Sequence, residues 1–212
     1  MRSGFLARAV TLLLVVLSVI AAGCGGGGKF VTVEKDGVRV SYPADMRRLD
    51  GAPAEEIDRI LKDLPEGLAD LARVATSRAM ILAVSPDGRM VAVYEMGGES
   101  VTPEMVNNIG EEKFRQAMGQ VTKEIVRSAA SMLPQGLRAE VDDPEFLDPP
   151  KESGITRAIR LTMRIEGDVK GNRVRVEEHV HFLFTPRGLY LLEVAGDKRL
   201  AEQIFSSVKI SK

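Results

Sequence analysis

Two long runs of alternating apolar and polar residues restrict this chain to a fold built on antiparallel strands. Every second residue is apolar in residues 158–165, and the pattern resumes in residues 173–184 after the turn residues Gly167, Gly171 and Asn172. A period of two places successive side chains on opposite faces of a strand. The two runs therefore predict a long hairpin with one buried face and one solvated face.

Turn residues divide an earlier part of the chain into two shorter hairpins. Asp36-Gly37 separates two alternating runs in residues 30–42, and Pro86-Asp87-Gly88 separates two more in residues 79–96. Glycine supplies the positive φ angle, and proline the fixed one, that such turns require. Both segments are predicted to form antiparallel hairpins.

Apolar residues three and four apart predict helices between and after these hairpins. One amphipathic helix starts after Pro53 and is broken or restarted at Pro65, and a longer one lies in residues 102–134 with an interruption at Gly110. Asp197 is placed to cap a short helix near the C-terminus. Each helix has an apolar stripe that must be buried against a sheet.

The remaining segments complete an α+β order. Residues 138–141, 189–195 and 208–210 are predicted strands, and the acidic, proline-bearing residues 142–154 are predicted to be an exposed loop. Strand pairs that are interspersed with helices predict an antiparallel sheet of hairpins packed against a long helix and shorter helices.

Several short motifs also carry a resemblance to a known family. They are the run Val38-Arg39-Val40-Ser41-Tyr42-Pro43, the paired hairpins, the strand of residues 173–184 with its turn into Gly188-Leu189-Tyr190, and the closing residues 203–210. In their order they resemble the PsbP-like fold family across residues 29–212. The resemblance implies a non-catalytic surface protein. It supplies no functional residues, because the family has no common catalytic motif.

The N-terminal segment is typical of a bacterial lipoprotein export signal. Arg2 and Arg8 precede the apolar residues 9–20, and Ala21-Ala22-Gly23 stands directly before Cys24. Small residues fit the peptidase cleft, and the Cys24 thiol takes the diacylglyceryl group before cleavage. An uncleaved membrane helix is the alternative, but the apolar stretch is shorter than the roughly 20 residues that cross a bilayer.

This signal divides the chain into three parts. Residues 1–23 are the predicted signal peptide, residues 24–28 the acylated cysteine with a glycine tether, and residues 29–212 a single α+β domain. The lipid on Cys24 would hold the domain at a membrane of the cell envelope. Gly25 stands where inner-membrane retention signals usually carry Asp. In a bacterium with two membranes we therefore expect the outer membrane, with the domain facing the periplasm.

Charge and cysteine content exclude several classes of function. The chain has 29 Lys and Arg against 30 Asp and Glu, and removal of Arg2 and Arg8 with the signal leaves 27 against 30, a formal charge of −3. Without a basic excess, nucleic-acid binding is disfavoured. With Cys24 acylated, no thiol remains for a disulfide, for redox chemistry or for cysteine catalysis.

Glu177, His179 and His181 are the candidate metal ligands. Their spacing places all three on one face of a strand, and imidazole is a common ligand of Zn or Cu. Side chains two apart diverge, however, with about 6.8 Å between their Cα atoms, and no fourth ligand of suitable type stands nearby. We therefore expect no metal and no other cofactor. We expect instead a solvated face that pairs with Arg160 and Thr162 across the hairpin.

Four arginines share this predicted outer face: Arg160, Arg164, Arg173 and Arg175. Guanidinium groups so close together would recognise anionic headgroups or an acidic partner. Acidic residues on the same strands would offset much of this charge, so surface ion pairing is the expected role and a face that binds an anion or a partner is the alternative. Those residues are Glu166, Asp168 and Glu177.

No catalytic constellation stands out, because the two histidines lie within a predicted strand and there is no Gly-x-Ser-x-Gly. We expect a non-enzymatic binding or assembly accessory of the cell envelope, held at the membrane by Cys24 and acting with an envelope protein whose identity stays open. The alternative is a carrier that holds a small apolar or lipid ligand between the sheet and the long helix, against methionine side chains. These methionines are Met80, Met90, Met96, Met105, Met118 and Met132.

Overall fold

The computed structural model is an α+β protein in which antiparallel strands predominate, which confirms the predicted class. The predicted signal with Cys24, the Pro65 break, and the start of the long predicted helix at Thr102-Pro103 lie outside the described residues. The structure describes residues 29–61, 76–85, 88–96, 109–130, 133, 136–169 and 172–211.

The elements follow one another in nearly the predicted order. The strands are β1 (Phe30–Lys35), β2 (Val38–Pro43), β3 (Arg47–Arg48), β4 (Ile81–Val84), β5 (Met90–Met96), β6 (Leu137–Val141), β7 (Glu145–Leu147), β8 (Arg157–Val169), β9 (Asn172–Thr185), β10 (Gly188–Ala195) and β11 (Lys209–Ile210). The helices are α1 (Ala54–Leu61), α2 (Glu111–Ala130) and α3 (Lys198–Ser207). Residues 142–154, predicted to be a loop, contain the short strand β7.

A small antiparallel sheet has the order β1-β2-β11. Lys35 pairs with Val38, and the two residues between them, Asp36 and Gly37, have φ angles of 50° and 79°. Positive φ at both central residues is the turn geometry that matches the twist of a two-residue hairpin. The predicted Asp-Gly turn is therefore confirmed, and the chain ends as the third strand beside it.

The large sheet has the order β3-β4-β5-β10-β9-β8-β6, with β7 also paired to β8. β8 and β9 form the predicted long hairpin, in register from Arg157↔Phe184 to Val169↔Asn172. β4 and β5 form the second predicted hairpin. The expectation of one sheet was wrong, because β1, β2 and β11 separate from these strands into a layer of their own.

Both faces of the large sheet carry a hydrophobic core. We call the face toward α2 the α2 face, and its core includes Leu82, Ala92, Phe114, Leu161, Met163, Val180, Phe182 and Leu191. The opposite face packs against α3 and the small sheet, and we call it the α3 face. Its core includes Val38, Tyr42, Val93, Leu183, Leu192, Ile204 and Phe205. The order of layers is therefore α2, large sheet, then α3 with the small sheet.

Helix α2 docks on the sheet through Phe114, which is almost fully buried. The Phe114 ring meets Phe184 edge-on at 5.2 Å and Phe146 at 6.2 Å between centroids. The Arg157 guanidinium lies 4.4 Å above the same ring and donates a hydrogen bond to the Ile109 carbonyl at 2.8 Å. These contacts fix the start of the helix against β7, β8 and β9.

Helix α3 begins at the predicted cap, since the Leu200 N–H donates to Asp197 Oδ1 at 2.7 Å. Its buried side chains include Ile204 and Phe205, which face the large sheet. Ser41 N–H donates to Ser207 Oγ at 2.9 Å and ties the end of the helix to β2. The helix therefore joins the small sheet to the α3 face.

Candidate functional site

The predicted lipidation site, Cys24, lies outside the described residues. The segment that would anchor the chain is therefore known here from its sequence alone. Within the part of the chain that the structure describes, no helix combines the length and the apolar character needed to span a bilayer.

His179 and His181 are buried on the α3 face, which corrects the prediction that this face of the hairpin is solvated. The predicted cross-strand pairs are confirmed, since His181 is opposite Arg160 and His179 is opposite Thr162. The two-residue alternation was read correctly, but α3 covers the face that alternation alone assigns to water. A polar residue on the polar side of an alternating strand is therefore not necessarily exposed to solvent.

His181 is a neutral imidazole packed beneath α3. Its Nδ1 lies 3.3 Å from the Leu192 carbonyl, which can only accept, so Nδ1 carries the proton. Its ring stacks on Phe205 with 5.2 Å between centroids and 12° between planes. Burial lowers the pKa of His181 to about 3, so it stays uncharged at neutral pH.

Thr162, His179 and Glu177 place a hydroxyl, an imidazole and a carboxylate in sequence. Thr162 Oγ1 is 3.1 Å from His179 Nδ1, and Glu177 Oε1 is 3.3 Å from His179 Nε2. Nε2 nevertheless makes no hydrogen bond, so the carboxylate does not orient the ring as in a hydrolase triad. Burial also lowers the pKa of His179. The arrangement lacks the alignment that nucleophilic catalysis requires.

Arg160 is only 2% exposed and belongs to the interior rather than to an outer binding face. Its Nε and Nη2 donate to Glu145 Oε2 at 3.2 and 2.5 Å, and Nη1 is 3.7 Å from Glu202 Oε1. These carboxylates, from β7 and α3, neutralise the buried charge. The prediction that Arg160 joins an exposed arginine cluster was therefore wrong.

The other predicted arginines lie at the uncovered end of the same face. Arg164, Arg173 and neighbouring Arg138 line a groove of about 570 Å³, while the exposed Arg175 lies 3.1 Å from Glu166. Every arginine here is opposite an acidic residue on the next strand. The pairs are Arg138↔Glu166, Glu140↔Arg164, Arg164↔Glu177, Glu166↔Arg175 and Asp168↔Arg173.

This alternation of opposite charges makes the end of the sheet polar without an excess of positive charge. Arg164 donates to both carboxylate oxygens of Asp142, at 2.8 and 2.7 Å, which adds another acidic partner. Such exposed pairs contribute about 0–1 kcal/mol each. The groove is suited to a partner that carries both charges rather than to a simple anion. In the described residues, no group of three His, Cys, Asp or Glu side chains is arranged to hold a metal ion.

A second polar cluster, which the sequence reasoning missed, lies on the α2 face. It consists of Glu178 on β9, Glu193 on β10 and Tyr94 on β5; both glutamates are fully buried and Tyr94 is 4% exposed. In the part of the chain that the structure describes, all four carboxyl oxygens and the Tyr94 hydroxyl have no hydrogen-bond partner. An unsatisfied buried polar group costs about 1–3 kcal/mol, so a cluster of three is expensive to keep.

The strand registers arrange these three residues as an oblique row. Glu193 is opposite Ala92 while Tyr94 is opposite Leu191, so Tyr94 and Glu193 are diagonal neighbours. Glu178 is opposite Ala195, which makes it the diagonal neighbour of Glu193 on the other side. Diagonal neighbours in a sheet are about 7 Å apart. We call Tyr94, Glu193 and Glu178 the acidic row.

Burial governs the ionisation of the acidic row. It raises the pKa of Glu178 well above the ordinary value, and the nearby Glu193 raises it further. Burial likewise raises the pKa of Glu193 and, with help from both carboxyls, that of Tyr94. A charged carboxylate without a counter-charge is unfavourable in such surroundings, so the carboxyls favour their protonated forms.

The sequence did contain a signal for this row. In β9 the apolar positions Val174, Val176, Val180 and Phe182 leave one position of the alternation to Glu178. Glu193 occupies the same kind of position in β10, between Leu191 and Ala195. A charged residue at an apolar position of a buried strand therefore predicts a buried polar group, as at Glu178 and Glu193.

The methionines proposed for a ligand pocket are divided between the two cores. Met90 is buried on the α2 face, and Met96 and Met118 pack against the same core. Met80 packs on the α3 face, so it cannot line the same pocket. Met105 and Met132 lie outside the described residues.

Comparison with known proteins yields likenesses among solved structures. No protein-family model and no curated protein matches the sequence. The chain is similar to the crystal structure of LpqN involved in cell envelope biogenesis of Mycobacterium tuberculosis, at 14% sequence identity and a TM-score of 0.42. The match covers 88% of this chain and 93% of that chain. At this level of similarity the role of LpqN is not transferred to this chain.

Proposed function

We propose that this protein is a lipid-anchored accessory of the bacterial cell envelope that binds or assembles and does not catalyse. The observation that carries the proposal is the order of Arg2, Arg8, the apolar residues 9–20 and the small residues before Cys24. Two or three acyl chains on Cys24 would make attachment effectively permanent, at about 0.8 kcal/mol per buried methylene. With Gly25 next, outer-membrane placement is expected where a second membrane exists.

Within the described residues, the series that comes nearest to a catalytic one is not aligned, which supports an accessory role. The Thr162–His179–Glu177 series is not hydrogen-bonded throughout, and the resemblance to the PsbP-like family implies a non-catalytic protein. The paired charges around Arg164 and Arg173 offer a polar docking surface for an envelope protein. Charged groups on such a surface contribute more to the correct orientation of a partner than to the affinity for it.

Mass spectrometry of the chain isolated from membranes of its own host tests the anchor. The expected polypeptide begins at Cys24 and carries the mass of the acyl groups, while Cys24→Ser leaves the uncleaved chain. Cross-linking before isolation is expected to capture an envelope protein, and Arg164→Glu with Arg173→Glu to reduce the capture several-fold. A chain that begins at Met1 with a free thiol and fractionates with the cytosol would contradict the proposal.

The acidic row favours a second function, carriage of a small, largely apolar ligand on the α2 face. Buried polar atoms in proteins almost always have partners, and the side-chain oxygens of Glu178, Glu193 and Tyr94 have none among the residues that the structure describes. A ligand that fills this role would remove a cost of roughly 1–3 kcal/mol for each group. Native mass spectrometry of the full chain released from its membrane is expected to show a co-purified small molecule. A bare mass in every preparation would count against carriage.

A further inference from the structure

We propose that the acidic row binds the protonated amine of an apolar ligand, with Glu178 and Glu193 as its counter-charge. The inference rests on the carrier function proposed above and names the chemical class of the ligand. Its basis is the set of five buried oxygen atoms, on Tyr94, Glu193 and Glu178, that have no hydrogen-bond partner within the described ranges of the chain.

The charge around the acidic row favours a cation over a neutral ligand. Glu193 raises the pKa of Glu178, and both glutamates raise the pKa of Tyr94. Among the described residues, the groups that act electrostatically on the row are therefore its own members. Arg157 points to the same face, but it is opposite Phe184, six residues along β8 from the position opposite Glu178. That is about 20 Å away along the strand, and the Arg157 side chain is engaged by the Ile109 carbonyl and the Phe114 ring. Among the described residues the two carboxyls thus form a buried acidic site without a counter-ion, which a ligand ammonium would supply.

The donors of a primary ammonium group match the acceptors of the row in number. The group has three N–H donors and no acceptor. The acidic row offers three acceptor groups, one on each of three adjacent strands, with Glu193 between the other two. A trimethylated ammonium has the same charge but no N–H donor, so it would not satisfy these oxygens.

The surroundings of the row favour an apolar body on the ligand. Glu193 has Ala92 and Val180 as cross-strand neighbours, and Glu178 has Ala195 and Met163. All four belong to the hydrophobic core of the α2 face. Each carboxyl has one alanine beside it, Ala92 for Glu193 and Ala195 for Glu178, and an alanine occupies little volume. Met163 has a flexible side chain that can change its conformation to fit a neighbour. An alkyl chain next to the amine would therefore meet apolar contacts rather than polar ones.

Binding of the amine changes the protonation of the row in a defined way. Without ligand, the two carboxyls favour their protonated forms, because burial raises the pKa of both. When the ammonium enters, one carboxyl ionises and its proton leaves to solvent, while the second proton stays on the pair. The bound complex is then neutral: one ammonium, one carboxylate and one carboxylic acid. One proton is released for each ligand bound, so affinity rises with pH by up to tenfold per pH unit.

Calorimetric titration of the full chain in phosphatidylcholine nanodiscs tests the proposal with three probes of equal chain length. Octylamine has charge and donors, octyltrimethylammonium has charge without N–H donors, and octan-1-ol has a donor without charge. Titrations at pH 6 and pH 7, in phosphate and in ACES, two buffers with different ionisation enthalpies, count the protons released. We expect saturable binding of octylamine with one proton released, and at least tenfold weaker binding of the other two.

Variants assign the binding to the acidic row. Glu178→Gln with Glu193→Gln keeps the shape of the side chains but removes their charge, and it is expected to weaken octylamine binding at least tenfold and to abolish proton release. Tyr94→Phe removes one acceptor and is expected to weaken binding about threefold to tenfold. Glu95→Gln is the matched control, because Glu95 follows Tyr94 on β5 but is exposed on the opposite face. Circular dichroism checks that each variant is folded. Partitioning of the probe into the nanodisc lipid is the same for all variants, so it does not affect their comparison.

Two results would overturn the proposal in different ways. If octan-1-ol binds as tightly as octylamine and no proton is released, the amine class is wrong while carriage of an apolar ligand stands. If none of the three probes binds the folded chain saturably beyond its partitioning into the lipid, both the amine class and the carrier function fail.

Discussion

The two faces of the large sheet both bury polar side chains, but they treat them differently. On the α3 face, Arg160 has Glu145, His181 has the Leu192 carbonyl, and His179 has Thr162. On the α2 face, the carboxyls of Glu178 and Glu193 have no hydrogen-bond partner among the described residues, whereas on the α3 face each histidine leaves only its Nε2 unpaired. A buried polar side chain that is hydrogen-bonded within the protein is explained by the fold itself. A buried polar side chain without any hydrogen bond requires another explanation, and a bound ligand is the simplest one.

The two faces also respond to pH in opposite directions. Burial lowers the pKa of His181 to about 3, below its ordinary value of 6.5, so the folded state resists protonation that the unfolded chain accepts. The stability contributed on this face is therefore complete above about pH 6.5 and is lost as pH falls toward 3. Burial raises the pKa of Glu178 and Glu193 above 4.5. On the α2 face, the contribution of these two carboxyls to the free energy of unfolding is complete below about pH 4.5. It falls as the pH rises from there toward their folded-state pKa values.

The largest effect is expected from removing the anchor of α2 on its face. Phe114→Ala would leave a cavity between Phe146, Phe184 and Arg157, and should lower the free energy of unfolding by about 4 kcal/mol. Urea denaturation measures the change. Val121→Ala, on the same helix but 39% exposed, serves as the control and should cost less than about 0.5 kcal/mol. Equal costs for the two variants would mean that α2 does not depend on Phe114.

On the α3 face, loss of one charge should leave the other buried and unpaired. Glu145→Ala removes the main partner of Arg160, whose side chain is 2% exposed, and should cost about 3 kcal/mol by urea denaturation. Adding Arg160→Met should recover part of the loss, because it removes the buried charge and keeps an apolar side chain. Glu166→Ala breaks an ion pair with Arg175 in which both partners are exposed, and should cost less than about 1 kcal/mol. A double variant less stable than Glu145→Ala alone would show that the Arg160 charge is stabilised by other means.

The smallest effect separates the two faces by pH. Glu178→Gln with Glu193→Gln should remove the loss of stability above about pH 4.5, which amounts to at most about 1.4 kcal/mol per pH unit for each carboxyl that stays protonated. His181→Leu should instead flatten the loss between about pH 6.5 and 3. Free energies of unfolding at pH 4, 6 and 8 test both. If the glutamine variant follows the wild-type pH profile, the two carboxyls are ionised in the folded chain.

Local pattern was sufficient for most elements of the fold. The turn Asp36-Gly37, the cap Asp197 and the register of β8 with β9 were all predictable, because each depends on residues close in sequence or on a strict period of two. The placement of β11 beside β2 was not predictable, since nothing near either strand specifies a partner so distant along the chain. Strand β7 was missed because three residues are too few to establish a period.

The candidate sites divide along the same line. Alternation correctly grouped Glu177, His179 and His181 on one face, but it could not say that α3 covers that face. It also contained the acidic row, as Glu178 and Glu193 at apolar positions, although only the register across β5, β10 and β9 brings them next to Tyr94. Residue type fixed which chemistry was available, and strand order fixed which groups meet.

What the sequence by itself determined is the α+β class and the side of each strand on which a residue lies, and it predicts an export signal ending at Cys24. These follow from hydrophobic length and period, which are properties of a single segment. Only the tertiary structure decided that both faces of the large sheet are covered and which buried polar groups have hydrogen-bond partners. Burial and pairing depend on contacts between segments far apart in the chain, and in this protein α3 and the order of the strands make those contacts.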